Sequence, residues 1–207
     1  MVITSVQEAL EAVKKDGRNL RYVPEKFQTE DVCIQAVKTV GSALQFVVNQ
    51  TDSICLQAVR THGSYLYLVE NQTEDICLEA IKSSAGALEH VKNKTPKICL
   101  AAIRQDAFAL QYVPEELRTV ELYLEAVKQK GNVLQYIKDQ TREVCLEAVK
   151  QNGNALVYVK NQTDEICLEA VRQDGWALQF VENQTPEIIK AALRQNRSVI
   201  NLVKQDL

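Results

Sequence analysis

The chain has 207 residues, 46% hydrophobic and 25% charged, with a formal net charge of −3. That balance supports a buried core and excludes wholesale disorder. The missing basic excess argues against an electrostatic nucleic-acid binder, and no apolar run is long enough to span a membrane. The opening residues, Met1 to Glu8, carry no basic stretch followed by an apolar one, so no secretory leader is expected.

From there the chain is one unit of about 22 residues written nine times. Units start at Ser5, Thr29, Thr51, Thr73, Thr95, Thr119, Thr141, Thr163 and Thr185. The spacing is 22 residues except after the first and fifth units, where it is 24. The extra residues lie in two related segments, Val23-Pro24-Glu25-Lys26-Phe27 and Val113-Pro114-Glu115-Glu116-Leu117. The units carrying them start 90 residues apart, at Ser5 and Thr95, which reads as a duplicated four-unit block.

Within a unit, position 1 is Thr, or Ser in the first, and reads as a helix N-cap. Acids follow it (Glu30-Asp31, Glu74-Asp75, Asp164-Glu165) and suit the positive end of a helix. Pro96 and Pro186 stand at the first helical position, where a missing N–H costs nothing. Positions 2–12 are predicted as a first helix. Its apolar positions 4, 5, 6, 8 and 9 span an arc of roughly 200°, wide enough for several neighbours. Ala at position 8 in all nine units allows close helix approach. Position 13 is Gly in six units and is predicted to be a left-handed helix terminus. Ala85, Ala107 and Arg197 in that slot are then expected to cost about 1 kcal/mol each. Positions 14–20 are predicted as a second short helix, with positions 16, 18 and 19 facing inward. Neither helix is long enough to stand alone, so stability must come from stacking. The predicted fold is an all-α solenoid of nine helix-turn-helix repeats, one domain over residues 1–207. Glu8 and Lys190 interrupt the apolar pattern in the first and last units and suit ends that face water.

The six cysteines, Cys33, Cys55, Cys77, Cys99, Cys145 and Cys167, all fall at position 5, where other units have Ala9, Tyr123 and Ile189. A slot shared with Ala and Ile is a packing slot. Stacked units should hold these sulfurs too far apart for disulfides, so reduced thiols and a reducing, cytoplasmic compartment are expected. Tyr123 is read as core.

The pattern T-x-E-I-C-L-E-A-V-K-x-x-G-x-A-L-x-Y-V resembles an uncharacterised bacterial family of helical repeats known only as a domain of unknown function. The resemblance is close from the second to the eighth unit and looser in the first and ninth. It implies a helical array, occurrence in bacteria including host-associated ones, and no catalytic residues.

Chemistry is sparse. No phosphate loop, metal-ligand spacing or nucleophile–histidine arrangement is legible, so no cofactor, metal or enzymatic activity is expected. His62 and His90 sit at different unit positions and read as structural. Position 10 is Lys or Arg in every unit, with acids at positions 3 and 7 beside it. That is a solvated, charge-paired face, or else a ladder for a polyanion, which the neighbouring acids would neutralise. The residues that break the pattern outward are Tyr65, Tyr67, Phe108 and Trp176. They are either covers over gaps between units or anchors for a partner. The expected function is a non-catalytic scaffold for a protein or peptide. An accessory module of an effector or toxin system, or a purely structural or engineered repeat protein, is the alternative.

Overall fold

The computed structural model describes residues 2–204. Among them lie nine α-helices of ten residues and no strand: α1 (Val6–Lys15), α2 (Glu30–Thr39), α3 (Asp52–Thr61), α4 (Glu74–Ser83), α5 (Pro96–Gln105), α6 (Val120–Gln129), α7 (Arg142–Gln151), α8 (Asp164–Gln173) and α9 (Pro186–Gln195). Among the described residues no helix is long and apolar enough to cross a membrane.

Each α-helix starts as the threonine predicts. The hydroxyl of Thr73, for example, accepts the Ile76 N–H at 3.4 Å. In the first repeat Ser5 caps Glu8 N–H, while the Glu8 carboxylate reaches back to Thr4 N at 2.7 Å. Glu8 and Lys190 are exposed, as expected of the two end repeats. The buried stripe is positions 4, 5, 8 and 9, as in Ile166, Cys167, Ala170 and Val171. The position-6 residue, such as Leu168, stays half-buried.

The second short helix, predicted over positions 14–20, takes a tighter form and begins one residue earlier. In every repeat it is a six-residue 3-10 helix, such as Gly175–Phe180, and short 3-10 turns Glu25–Phe27 and Glu115–Leu117 occupy the two longer connections. Three residues per turn line up positions 13, 16 and 19 on one side. Gly175, Leu178 and Val181 are that row in the eighth repeat, and all are buried. Position 18, read from the sequence as inward-facing, is half-buried in most repeats and 52% exposed at Tyr22.

Position 13 also overturns an expectation. No described residue, glycine or otherwise, has a positive φ. The chain turns instead at position 12, which is extended, and whose side chain caps the 3-10 helix in six of the nine repeats. Asp174, with φ −144°, accepts Trp176 N–H at 3.0 Å. Asp16, Asp106, Asn152 and Asn196 do the same, and His62 does it with its ring nitrogen. Ala85, Ala107 and Arg197 therefore carry no left-handed strain. Glycine is required for space: a Cβ on Gly17 would lie 2.2 Å from the Ala36 carbonyl oxygen, on the next helix. The same approach puts the Gly153 N–H 2.6 Å from Gln173 Oε1. The invariant alanine and the glycine are thus two sides of one contact.

Glutamines at the end of one repeat hold the next. Gln72 donates to the carbonyls of Leu66 and His90, both at 3.0 Å, and accepts Lys92 N–H at 2.9 Å. Gln140, Gln162 and Gln184 each donate to a carbonyl and accept a main-chain N–H of the following repeat in the same way. The same amide oxygen also accepts from four of the cysteines. Cys55, Cys77, Cys145 and Cys167 donate to the glutamine five residues before them, at 3.4–3.9 Å. The sixth repeat exchanges both partners: Arg118 donates to the Tyr136 carbonyl at 3.0 Å, and its neighbour in the cysteine slot is Tyr123, buried as expected.

All six thiols are free and buried. Burial pushes Cys33, Cys55 and Cys167 up to about 11, with nearby carboxylates adding to the effect. A thiol raised in the folded state contributes stability below its ordinary value of about 9 and loses it as pH rises toward 11. Urea midpoints are therefore expected to fall between about pH 9 and pH 11. The six-fold Cys→Ala variant should show a shallower fall, and an identical pH profile would contradict the assignment.

Close contacts divide the chain into two compact units, Met1–Pro114 and Glu115–Leu207. The division falls in the second of the two longer connections. Each unit is a short α-solenoid. In the first, α1 to α5 pack in succession; in the second, α6 to α9 do. Within the units, α2 to α5 and α7 to α9 each also touch 3-10 helices of their own and the preceding repeat, as α4 does. No repeat owns a complete interior, as solenoid stacking requires.

Candidate partner-binding surface

Of the four aromatic candidates, Tyr65, Tyr67 and Phe108 lie in the first unit and Trp176 in the second. Tyr65 and Tyr67 share the 3-10 helix Gly63–Leu68, but a spacing of two residues there points them about 120° apart. Tyr65 is half-buried and leans back over Gly41, where a Cβ would lie 2.4 Å from its ring. It fills the space that the usual alanine leaves. Tyr67 leans forward, its ring 5.7 Å from that of His90, and remains 56% exposed. Phe108 is half-buried at the start of its 3-10 helix, where Asp106 holds its N–H. Trp176, in the second unit, is 45% exposed, and its main chain is fixed on both sides by Asp174 and Gln179. An indole on a rigid turn loses little freedom on binding.

The two histidines lie in structural settings. His62 Nδ1 is 2.7 Å from Ser64 Oγ, and the His90 carbonyl is one of the groups that Gln72 bonds. Among the described residues no cluster of His, Cys, Asp or Glu could hold a metal ion.

The α-helices present a second surface. Position 6 forms a row of half-buried Leu or Ile in repeats one to eight, with the exposed cations of position 10 along one side and the mostly acidic position 3 along the other. Some charges pair across repeats. Arg60, from the preceding repeat, and Lys82, from the same helix, both bond Glu79, at 2.9 and 3.1 Å, and hold its carboxyl below the usual carboxylate range. Lys97 bonds Glu74, and Arg142 bonds Glu165. These pairs are exposed and contribute little to stability.

Sequence reasoning missed three groups: the position-22 glutamines, the position-11 side chains that meet the glycine N–H, and the position-12 caps. The glutamine recurs before the threonine at Gln28, Gln50, Gln72, Gln140, Gln162 and Gln184, a signal legible beforehand.

Capped helices, close-packed glycines and glutamine stitches define an all-α tandem-repeat protein. The family model described as Domain of unknown function (DUF4116) matches residues 9–49, 73–118, 95–142, 119–163, 141–185 and 163–207. The chain belongs to that family. From residue 73 onward successive matches overlap, and each match spans about two of the 22-residue units, so the family module is a pair of repeats. Residues 50–72, outside the matches, hold Tyr65 and Tyr67. No curated protein and no solved structure matches the chain.

Proposed function

We propose that the chain is a non-catalytic scaffold that binds a protein or peptide partner in a reducing compartment. The observation that carries this reading is the exposure of Tyr67 and Trp176, 56% and 45%, on 3-10 helices whose other large apolar residues are mostly covered. Rigid, exposed aromatics are the side chains that most often anchor interfaces. Tyr65 and Phe108 remain candidates in a supporting role, since part of each is already spent on packing. Six neutral, buried thiols support the compartment.

The test is a crosslinking pull-down from native lysate, repeated with Tyr67→Ala plus Trp176→Ala. The expected result is a loss of about tenfold or more in affinity for the captured partner, with an unchanged circular dichroism spectrum. Undiminished capture by the double variant would remove these two residues from the site.

A further inference from the structure

The 90-residue duplication lets one groove be compared with its counterpart. In the first unit, α3, α4 and α5 border a groove of about 380 Å³ on Leu78 and Ala101. In the second, α8 and α9 border one of about 450 Å³ on Leu168 and Ala191, the equivalent residues one block later. Alanine opens both: position 7 is Glu or Gln in the other seven repeats.

Their charges differ. In the first groove Glu79 binds both cations at the rim, Arg60 and Lys82. In the second, Arg172, Lys190 and Arg194 line the groove against Glu187 alone. Lys190 replaces the Leu or Ile that the other eight repeats have at that position. Among the described residues, no carboxylate lies within ion-pair distance of these three cations. The repeat therefore exchanges an apolar side chain for a cation at the edge of an apolar floor.

We propose that the α8–α9 groove binds an acidic stretch of polypeptide. An apolar side chain of the ligand rests on Leu168 and Ala191, and its carboxylates meet Arg172, Lys190 and Arg194. Guanidinium forks match carboxylate geometry, and the volume lies within the range of about 300–1,000 Å³ typical of small ligand sites. RNA fits less well. The floor is aliphatic and offers no ring on which a base could stack. The proposal rests on the scaffold reading above and gives the partner a chemistry.

The experiment titrates the full ¹⁵N-labelled chain with a short peptide alternating Glu and Leu, with its Gln-for-Glu counterpart, and with a uridine oligonucleotide. The acidic peptide is expected to shift the amide resonances of α8 and α9. The Gln counterpart should bind about tenfold more weakly or worse, as should the acidic peptide on going from about 50 to about 500 mM NaCl. Lys190→Leu restores the residue of the other repeats. Combined with Arg194→Gln, it should cut affinity about tenfold while leaving the urea midpoint unchanged or raised. Shifts confined to other helices, equal binding of the Gln peptide, or tighter binding of the oligonucleotide would each overturn the proposal. Capture of a native partner through Tyr67 and Trp176 that is indifferent to the groove variant would overturn it too, yet leave the scaffold reading intact.

Discussion

Gly63→Ala is expected to destabilise the chain by about 3 kcal/mol, the upper end of overpacking costs. A Cβ at this position would stand 2.1 Å from the Ala80 carbonyl oxygen and 3.1 Å from Ser84 N. Both atoms are main chain of the following repeat, so no rotamer change relieves the clash. Relief requires the repeats to part, which also stretches the bond from Gly63 N to Ser83 Oγ, now 3.1 Å. Gly86→Ala is the matched control. Its nearest neighbour would be Ser84 Oγ at 3.6 Å, an ordinary contact, and the position is exposed. That variant should change stability by no more than about 0.5 kcal/mol. Urea unfolding followed by circular dichroism measures both, and equal effects would refute the close-approach explanation.

Gln72→Leu should cost a comparable amount, about 3 kcal/mol. The leucine fills the volume but abandons the carbonyls of Leu66 and His90 and the N–H of Lys92. Each partly buried backbone group left without a partner costs roughly 1–3 kcal/mol, less where water reaches it. A local readout accompanies the global one: the Lys92 amide should exchange with deuterium faster, while amides of the second unit keep their rates. If the Lys92 amide stays protected, the glutamine is not what secures that repeat.

The repeat architecture was legible because its signals are local. A threonine caps the helix it precedes, and its acids and prolines sit in the first turn, so the starts of α2 to α9 could be read without coordinates. The row of thiols was legible from one column of the repeat, since Ala9 and Ile189 share it. Position 13 was misread because glycine admits two explanations, a left-handed turn or a close neighbour, and the neighbour at Gly17 lies on a helix nearly 20 residues on. The 3-10 form escaped for a related reason. Over six residues an apolar spacing of three fits either helix, and the Asp174-type cap that favours the tighter one reads as an ordinary helix end. The surface was the least legible. Tyr65 and Tyr67 look equivalent two residues apart, yet one covers Gly41 and the other meets His90 and solvent.

By itself the sequence determined that this is a tandem array, where each repeat starts, and most of the residues that lie inside. Those properties follow from hydrogen bonds and apolar periods within a single repeat. Tertiary structure alone decided why the glycines cannot be replaced, what the glutamines hold, and which cations lack an acid partner. Each of these depends on atoms brought by the next repeat, at distances of a few ångströms that no spacing along one chain can express.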